Sequence, residues 1–263
     1  MSEFRSPLAA DANAGRVALV TGGGTGIGRA TARELVRTGA RVAICGRRAE
    51  LLEAVRAELG QACLAVQADV RDPEQAAGVL EQTLDRFGPV DVLVNNAGGQ
   101  FVARAEEISA NGWRAVHRLA VDAAWELTRL VATRSMIPSR RGLVVFVGFS
   151  PRRGVPGMVH ASAARAALEN LAGGLAIEWS RYGIRAVCVS PGSIATEGLE
   201  GYGPEQVAEW EREVPLGRLG RPEEVASVIA FLASAGGAYV TGTTVVVDGG
   251  IDAWGLAKEP PRA

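Results

Sequence analysis

The amino-acid sequence predicts an α/β fold: one doubly wound domain in which a parallel sheet is flanked by helices on both faces. Three observations predict it. Short apolar, β-rich runs alternate with helix-patterned stretches from Val17 nearly to the C-terminus. Glycine or proline punctuates most joins, as at Gly39, Gly60, Gly88-Pro89, Pro138 and Gly183. No linker, internal repeat or shift of composition divides the 263 residues, which are long enough to bury a large core. Parallel strands joined by helices need right-handed crossovers, and those crossovers cover both faces of the sheet.

In chain order, residues 17–20, 41–45, 63–67, 90–94, 143–147, 185–189 and 244–247 read as seven short buried strands. Between them, residues 27–37, 49–59, 73–86, 111–136, 157–181 and 222–233 read as helices. Residues 1–15 carry Glu3 and Asp11 without an apolar run, so they read as a loose arm and not as a signal peptide, leaving residues 16–263 as the domain. The stretch 193–213, irregular and then patterned as a helix from Pro204 to Glu213, is the one long excursion. In a sheet of this kind such an excursion covers the ligand crevice.

Composition excludes several function classes. No apolar run approaches the ~20 residues needed to cross a bilayer. Lys+Arg 28 against Asp+Glu 29 leaves no broad basic face for nucleic acid. Cys45, Cys63 and Cys188 are odd in number and far apart, with no metal-ligand spacing, and read as reduced core thiols of a cytoplasmic protein. No metal site is expected.

Directly after the first strand comes Thr21-Gly22-Gly23-Gly24-Thr25-Gly26-Ile27-Gly28, which opens a helix. Glycine lets the backbone turn tightly and approach a pyrophosphate, whose charge suits the free N–H groups of a helix N-terminus. Gly22, Gly24, Thr25, Gly26, Ile27 and Gly28 are the expected cradle. The second strand ends in Cys45-Gly46-Arg47-Arg48, with no carboxylate for a ribose 2′-hydroxyl. Two guanidiniums there suit a 2′-phosphate, which selects NADP(H); the alternative is that Arg47 and Arg48 only solvate a helix start.

With Asn95-Asn96-Ala97-Gly98 after the fourth strand and Pro191-Gly192 after the sixth, the glycine turn resembles the short-chain dehydrogenase/reductase family over almost the whole chain. The resemblance implies a Rossmann-like, seven-stranded sheet with a nicotinamide dinucleotide across its strand ends. It further implies a homo-dimer or homo-tetramer built on the two long helices and the last strand. By the same resemblance Asp69 and Val70 flank the adenine, Asn96, Ala97 and Gly98 pass the adenosine ribose, and Pro191, Gly192 and Ile194 complete the cofactor site.

Reductases of this family work with an Asn, a Ser, a Tyr and a Lys. Aligned by their surroundings, those places hold Ala120, Gly148, Ala161 and Arg165 here. Alanine donates no proton, and arginine stays protonated at any working pH. The segments Asn95 to Phe101, His160 to Ala166, Asn170-Leu171, Glu178-Trp179 and Gly183-Ile184-Arg185 are similar to the trans-2-enoyl-CoA reductases and, more distantly, the 2,4-dienoyl-CoA reductases. That branch implies conjugate reduction, in which hydride goes to carbon and the last proton can come from water. Its tyrosine one turn further along the helix is Glu169 here.

The remaining polar candidates are few. Ser150 stands at a strand's carboxyl end, to bond a substrate oxygen or to form a turn before Pro151. His160 begins the helix of the missing tyrosine, as a proton donor, as a cap or as a solvent-facing residue. Arg165 is to hold cofactor or substrate, or to form an i,i+4 ion pair with Glu169. His117 is expected at a surface; Gln100, Ser193 and Tyr202 are expected to line the pocket; Arg152 and Arg153 are placed to meet an acidic substrate tail or solvent. The leading reading is an NADP(H)-dependent oxidoreductase on a conjugated carbonyl or enoyl small molecule, possible as a thioester, with Ser150, His160 and Arg165 as its catalytic set. Two other readings stay open: a non-redox cyclase or isomerase acting by positioning alone, and a non-catalytic cofactor-binding partner.

Overall fold

Along a buried strand successive side chains point to opposite faces, so one strand feeds two cores. The computed structural model, which describes residues 4–150 and 154–254, shows this arrangement throughout. The strands β1 (Val17–Thr21), β2 (Arg41–Gly46), β3 (Cys63–Gln67), β4 (Val92–Asn95), β5 (Gly142–Val147), β6 (Ile184–Pro191) and β7 (Thr244–Val247) form one sheet in the order β3-β2-β1-β4-β5-β6-β7. Every pairing is parallel. In β1, Val17 and Leu19 enter one core and Ala18 and Val20 the other.

The helices α1 (Gly26–Arg37), α2 (Ala49–Leu59) and α7 (Pro222–Ala233) cover the Ala18 face through Leu35, Leu52, Val55 and Ile229. On the Leu19 face lie α3 (Pro73–Phe87), the long helix α4 over residues 110–139, and α5 (Val159–Trp179), through Leu80, Leu127 and Leu168. The excursion carries α6 (Pro204–Glu213). Helix starts follow their caps: the Asp72 carboxylate accepts from the Glu74 and Gln75 N–H groups, and Ser109 Oγ accepts from Gly112 N. The long helix opens into π-helical turns at Arg118–Asp122 and Ala132–Met136; Ala120 lies inside the first.

The N-terminal segment corrects its expectation. It is not a loose arm over its described length: Asn13 is buried, with its Nδ2 donating to Thr38 Oγ1 (2.9 Å) and the Ala230 carbonyl (3.1 Å). Ser6 Oγ donates to the Glu34 carboxylate at 2.5 Å, and Leu8 packs on the core. The three cysteines are free and buried, and burial pushes the thiols of Cys45 and Cys188 up to about 12 and that of Cys63 to about 11. Among the described residues no helix is long and apolar enough to cross a membrane, and no cluster of three or more His, Cys, Asp or Glu has metal-holding geometry.

Asp91, at the start of β4, ties three strands together. Its carboxylate accepts from Val17 N at 3.0 Å and from Arg141 Nε at 2.7 Å, while its own backbone bonds the Val17 carbonyl and the Leu143 N–H. Removing that carboxylate leaves a buried N–H unpaired, which costs about 1–3 kcal/mol. Asp91→Ala is therefore expected to lower the thermal midpoint by several degrees, at about 2–4 °C per kcal/mol for a chain of this size, as read by calorimetry; an unchanged midpoint contradicts the role.

Candidate functional site

Strand order reverses between β1 and β4, and a crevice opens there at the strands' carboxyl ends. The glycine turn forms its floor. Gly22 and Gly26 take φ of +67° and +51°, the left-handed region that glycine alone adopts without cost. A Cβ on Gly28 would stand 2.2 Å from the Gly22 carbonyl oxygen, so glycine there lets α1 close onto the turn. Asn96 clamps the same turn, its Nδ2 donating to the carbonyls of Thr21 (2.9 Å) and Gly22 (3.3 Å). Thr21 Oγ1 answers by accepting from Asn96 N (3.0 Å) and Ala97 N (2.9 Å).

The resulting cleft has a volume of about 560 Å³. It brings together Gly22, Gly24, Thr25, Gly26 and Ile27 from the turn, and Arg47 and Arg48 from the end of β2. Asp69 and Val70, then Asn96, Ala97 and Gly98, and finally Pro191, Gly192 and Ile194 complete the expected set. Gly28 is the exception, packed behind the turn and not on the cleft surface. At the β2 end both arginines are exposed, and Arg48 Nη2 reaches Thr25 Oγ1 at 3.4 Å. Hydrogen bonds from Arg71 pull the Asp69 carboxyl down to about 2, so it carries full charge beside them.

The opposite end of the cleft is apolar where the sequence alignment places a proton-transfer set. Ala120, Ala161 and Ala164 form one buried cluster with Val116 and Met158, and Phe149, Val155 and Trp210 pack against it. The structure also corrects one assignment. Gly148 borders the cleft, but a Cβ there would stand 2.4 Å from Ser190 Oγ and 2.8 Å from Cys188 Sγ, which leaves no room for a side chain. The position that meets Ala120 and Ala161 is the next one, Phe149.

Arg165 reaches the cleft while 92% buried, its Nη1 donating to the Val147 carbonyl at 2.5 Å. It seats on Gly98, where a Cβ would stand 2.0 Å from Nη2. Among the described residues no carboxylate bonds this guanidinium; burial lowers its pKa from the ordinary arginine value. The alternative ion pair with Glu169 is not what holds it, since the Glu169 carboxylate accepts from Ser190 Oγ and Thr244 Oγ1, both at 3.3 Å.

Two candidates are placed differently from expectation. Ser150 borders the cleft, but its hydroxyl donates to Asp248 Oδ2 at 2.5 Å, so its proton is committed. His160 does not line the cleft: it is fully buried, its ring stands 4.2 Å from that of Phe101, and among the described residues neither ring nitrogen has a hydrogen-bond partner. His117 stacks on Trp113 at 4.3 Å, away from the cleft. Gln100, Ser193 and Tyr202 do line it. Arg152 and Arg153 lie outside the described residues. Phe149, Thr196, Glu197, Trp210 and Glu213 also border the cleft and carry no motif that marks them in the sequence; burial and the neighbouring Glu209 raise the Glu213 carboxyl.

Burial, and then the charge of His117, hold the His160 imidazole below its ordinary pKa of 6.5. The unfolded chain therefore takes up this proton at a higher pH than the folded one, so the contribution to stability falls as pH drops below about 6.5. His160→Leu is expected to flatten the loss of urea stability between pH 7.5 and 5.5; an unchanged pH profile contradicts the assignment.

The comparisons with known proteins agree with this geometry. The family model described as enoyl-(acyl carrier protein) reductase matches residues 22–252. A Bacillus subtilis protein named "Probable 2,4-dienoyl-CoA reductase [(2E)-enoyl-CoA-producing]" is 35% identical over 249 residues, 89% of this chain and 96% of that protein. The peroxisomal 2,4-dienoyl-CoA reductase of Arabidopsis thaliana is 37% identical, covering 94% of this chain and 87% of its own. The crystal structure of a short chain dehydrogenase from Bacillus anthracis superposes with a TM-score of 0.86 at 34% identity, covering 96% of this chain and all of that one (100%). With a family model matched over most of its length and relatives above 30% identity, the chain belongs to the short-chain dehydrogenase/reductase family of oxidoreductases.

Proposed function

We propose that this protein is an NADP(H)-dependent oxidoreductase that reduces a conjugated, thioester-linked acyl substrate. The observation that carries the reading is one cleft with two cationic ends: the exposed pair Arg47 and Arg48 beside the glycine turn, and the buried Arg165 in an apolar chamber. The names of the relatives support the acyl thioester.

The residues present fit a dinucleotide. The turn that a Gly28 side chain would block brings Gly26 and Ile27, the first residues of α1, to the cleft wall, where a helix N-terminus suits a pyrophosphate. Arg47 and Arg48 would pair with a 2′-phosphate through parallel N–H bonds, while Asp69 and Val70 would border the base. When bound, a nicotinamide supplies hydride to the substrate.

What the chain itself does at the other end follows from Arg165 and its surroundings. Phe149, Val155, Met158 and Trp210 give this end an apolar lining and the guanidinium itself is buried, so its charge is poorly screened. A buried cation bonded to one carbonyl keeps N–H groups for a ribose hydroxyl or for the oxygen of a thioester as it gains charge. Ser150, whose hydroxyl already donates its hydrogen bond to Asp248, can offer a substrate only an acceptor. The chain thus supplies positioning and positive potential, and the proton that completes a conjugate reduction arrives at carbon from water.

Absorbance at the nicotinamide band, followed with NADPH and a panel of enones, enoyl thioesters and ketones, tests this reading. Consumption with enoyl thioesters is expected; product formed without consumption favours isomerisation or cyclisation, and tight binding with neither favours a non-catalytic role. Arg47→Asp is expected to weaken NADPH binding far more than NADH binding, and equal effects remove the case for the phosphorylated cofactor. Arg165→Met is expected to lower kcat/KM by about 10²–10³-fold, the usual loss for one electrostatic donor in a buried site; a change within twofold overturns its role.

A further inference from the structure

The anion-binding end of α1 already meets an anion supplied by the chain. Glu197 Oε2 accepts from Gly26 N, the first amide of α1, at 3.0 Å, and Glu197 Oε1 bonds Arg29 Nη2 one turn along the helix. Thr196 presses on the same residue, its Cγ2 standing 3.2 Å from where a Gly26 Cβ would be. Burial alone would raise the Glu197 carboxyl, but the N–H groups of Glu197 and Gly26 and the Arg29 guanidinium outweigh it and hold it below the ordinary value.

The segment that carries Glu197 is tied to the body of the protein on both sides. Ala195 N donates to the Gly220 carbonyl at 2.8 Å and Gly220 N to the Ser193 carbonyl at 2.9 Å, closing the excursion on itself. At its far side Leu216 N bonds the Gly249 carbonyl at 3.2 Å. Between those ties Glu197 joins the excursion to the floor of the cleft, with Gly198, Leu199, Tyr202 and Trp210 further along the cleft wall.

We propose that Glu197 is a further residue that sets cofactor affinity: its carboxylate competes with the cofactor's pyrophosphate for the N-terminus of α1, and releasing it accompanies cofactor capture. This rests on the dinucleotide reading of the cleft. Both groups are anionic and both suit the Gly26 N–H and the helix N-terminus, so one displaces or repels the other. The Arg29 ion pair is partly exposed, with side chains 34% and 39% accessible, so the latch is weak enough to open on binding. The diphosphate is common to both dinucleotides, so the effect is shared by NADPH and NADH. The Arg47 pair, in contrast, is proposed to separate them.

The test is calorimetric titration of the full-length wild type, Glu197→Gln and Glu197→Ala with NADPH and with NADH. Both variants are expected to bind both cofactors about fivefold more tightly, since a weak surface contact no longer has to be broken, and Arg29→Gln is expected to shift affinity by less. Wild-type binding with unchanged or weaker binding in both Glu197 variants overturns the competition while leaving the dinucleotide reading intact. Failure of the wild type and both variants to bind either dinucleotide sinks that reading and the competition with it.

Discussion

Asn96 donates to the two carbonyls that begin the glycine turn, while Thr21 receives the amides of Asn96 and Ala97 in return. This reciprocal clamp joins the ends of β1 and β4 where the sheet order reverses, and the position of the cleft depends on it. Without it the carbonyls of Thr21 and Gly22 lose their side-chain donor, and only the Gly22 and Gly23 amides, bonded to the Cys45 carbonyl, still hold the start of the turn. Gly28 completes the constraint from the helix side by letting α1 lie against the Gly22 carbonyl. Arg47, Arg48, Arg165 and Glu197 all border the cleft that opens at this junction.

The same clamp explains why the two ends of the cleft differ in how far the sequence discloses them. At the glycine turn the requirement is backbone geometry, which only glycine meets, so Gly22, Gly26 and Gly28 are visible as a motif. The seven strands were legible for a related reason: runs such as 63–67 and 244–247 are short, apolar and bounded by turns, and they match the observed β3 and β7. Residues 90–94 begin two residues early, because Val90 N bonds Ser135 Oγ and Asp91 serves as a tie between strands before the ladder starts.

At the other end the determinants are side-chain directions, which sequence does not carry. Which of Gly148 and Phe149 faces the chamber depends on where β5 leaves the sheet, and the close approach of Ser190 to Gly148 decides it. Ser150 and His160 were polar residues at suggestive positions, yet one donates its hydrogen bond to Asp248, 98 residues away, and the other turns into an apolar layer beside Phe101. Glu197 was invisible because its partners Gly26 and Arg29 lie 171 and 168 residues away in the chain. Asn13 escaped notice for the same reason, its partner Ala230 being 217 residues distant.

Among the described residues the chamber thus pairs an apolar wall with one buried cation, an arrangement suited to holding an oxygen that gains negative charge and unsuited to delivering a proton from a side chain. The most direct test of that account is the mass of the product formed from an enoyl thioester and NADPH carrying deuterium at the transferring carbon, in ordinary water. One deuterium on a carbon of the saturated or partly saturated acyl chain, with the second hydrogen drawn from solvent, is the predicted result. A product containing no deuterium would contradict the account.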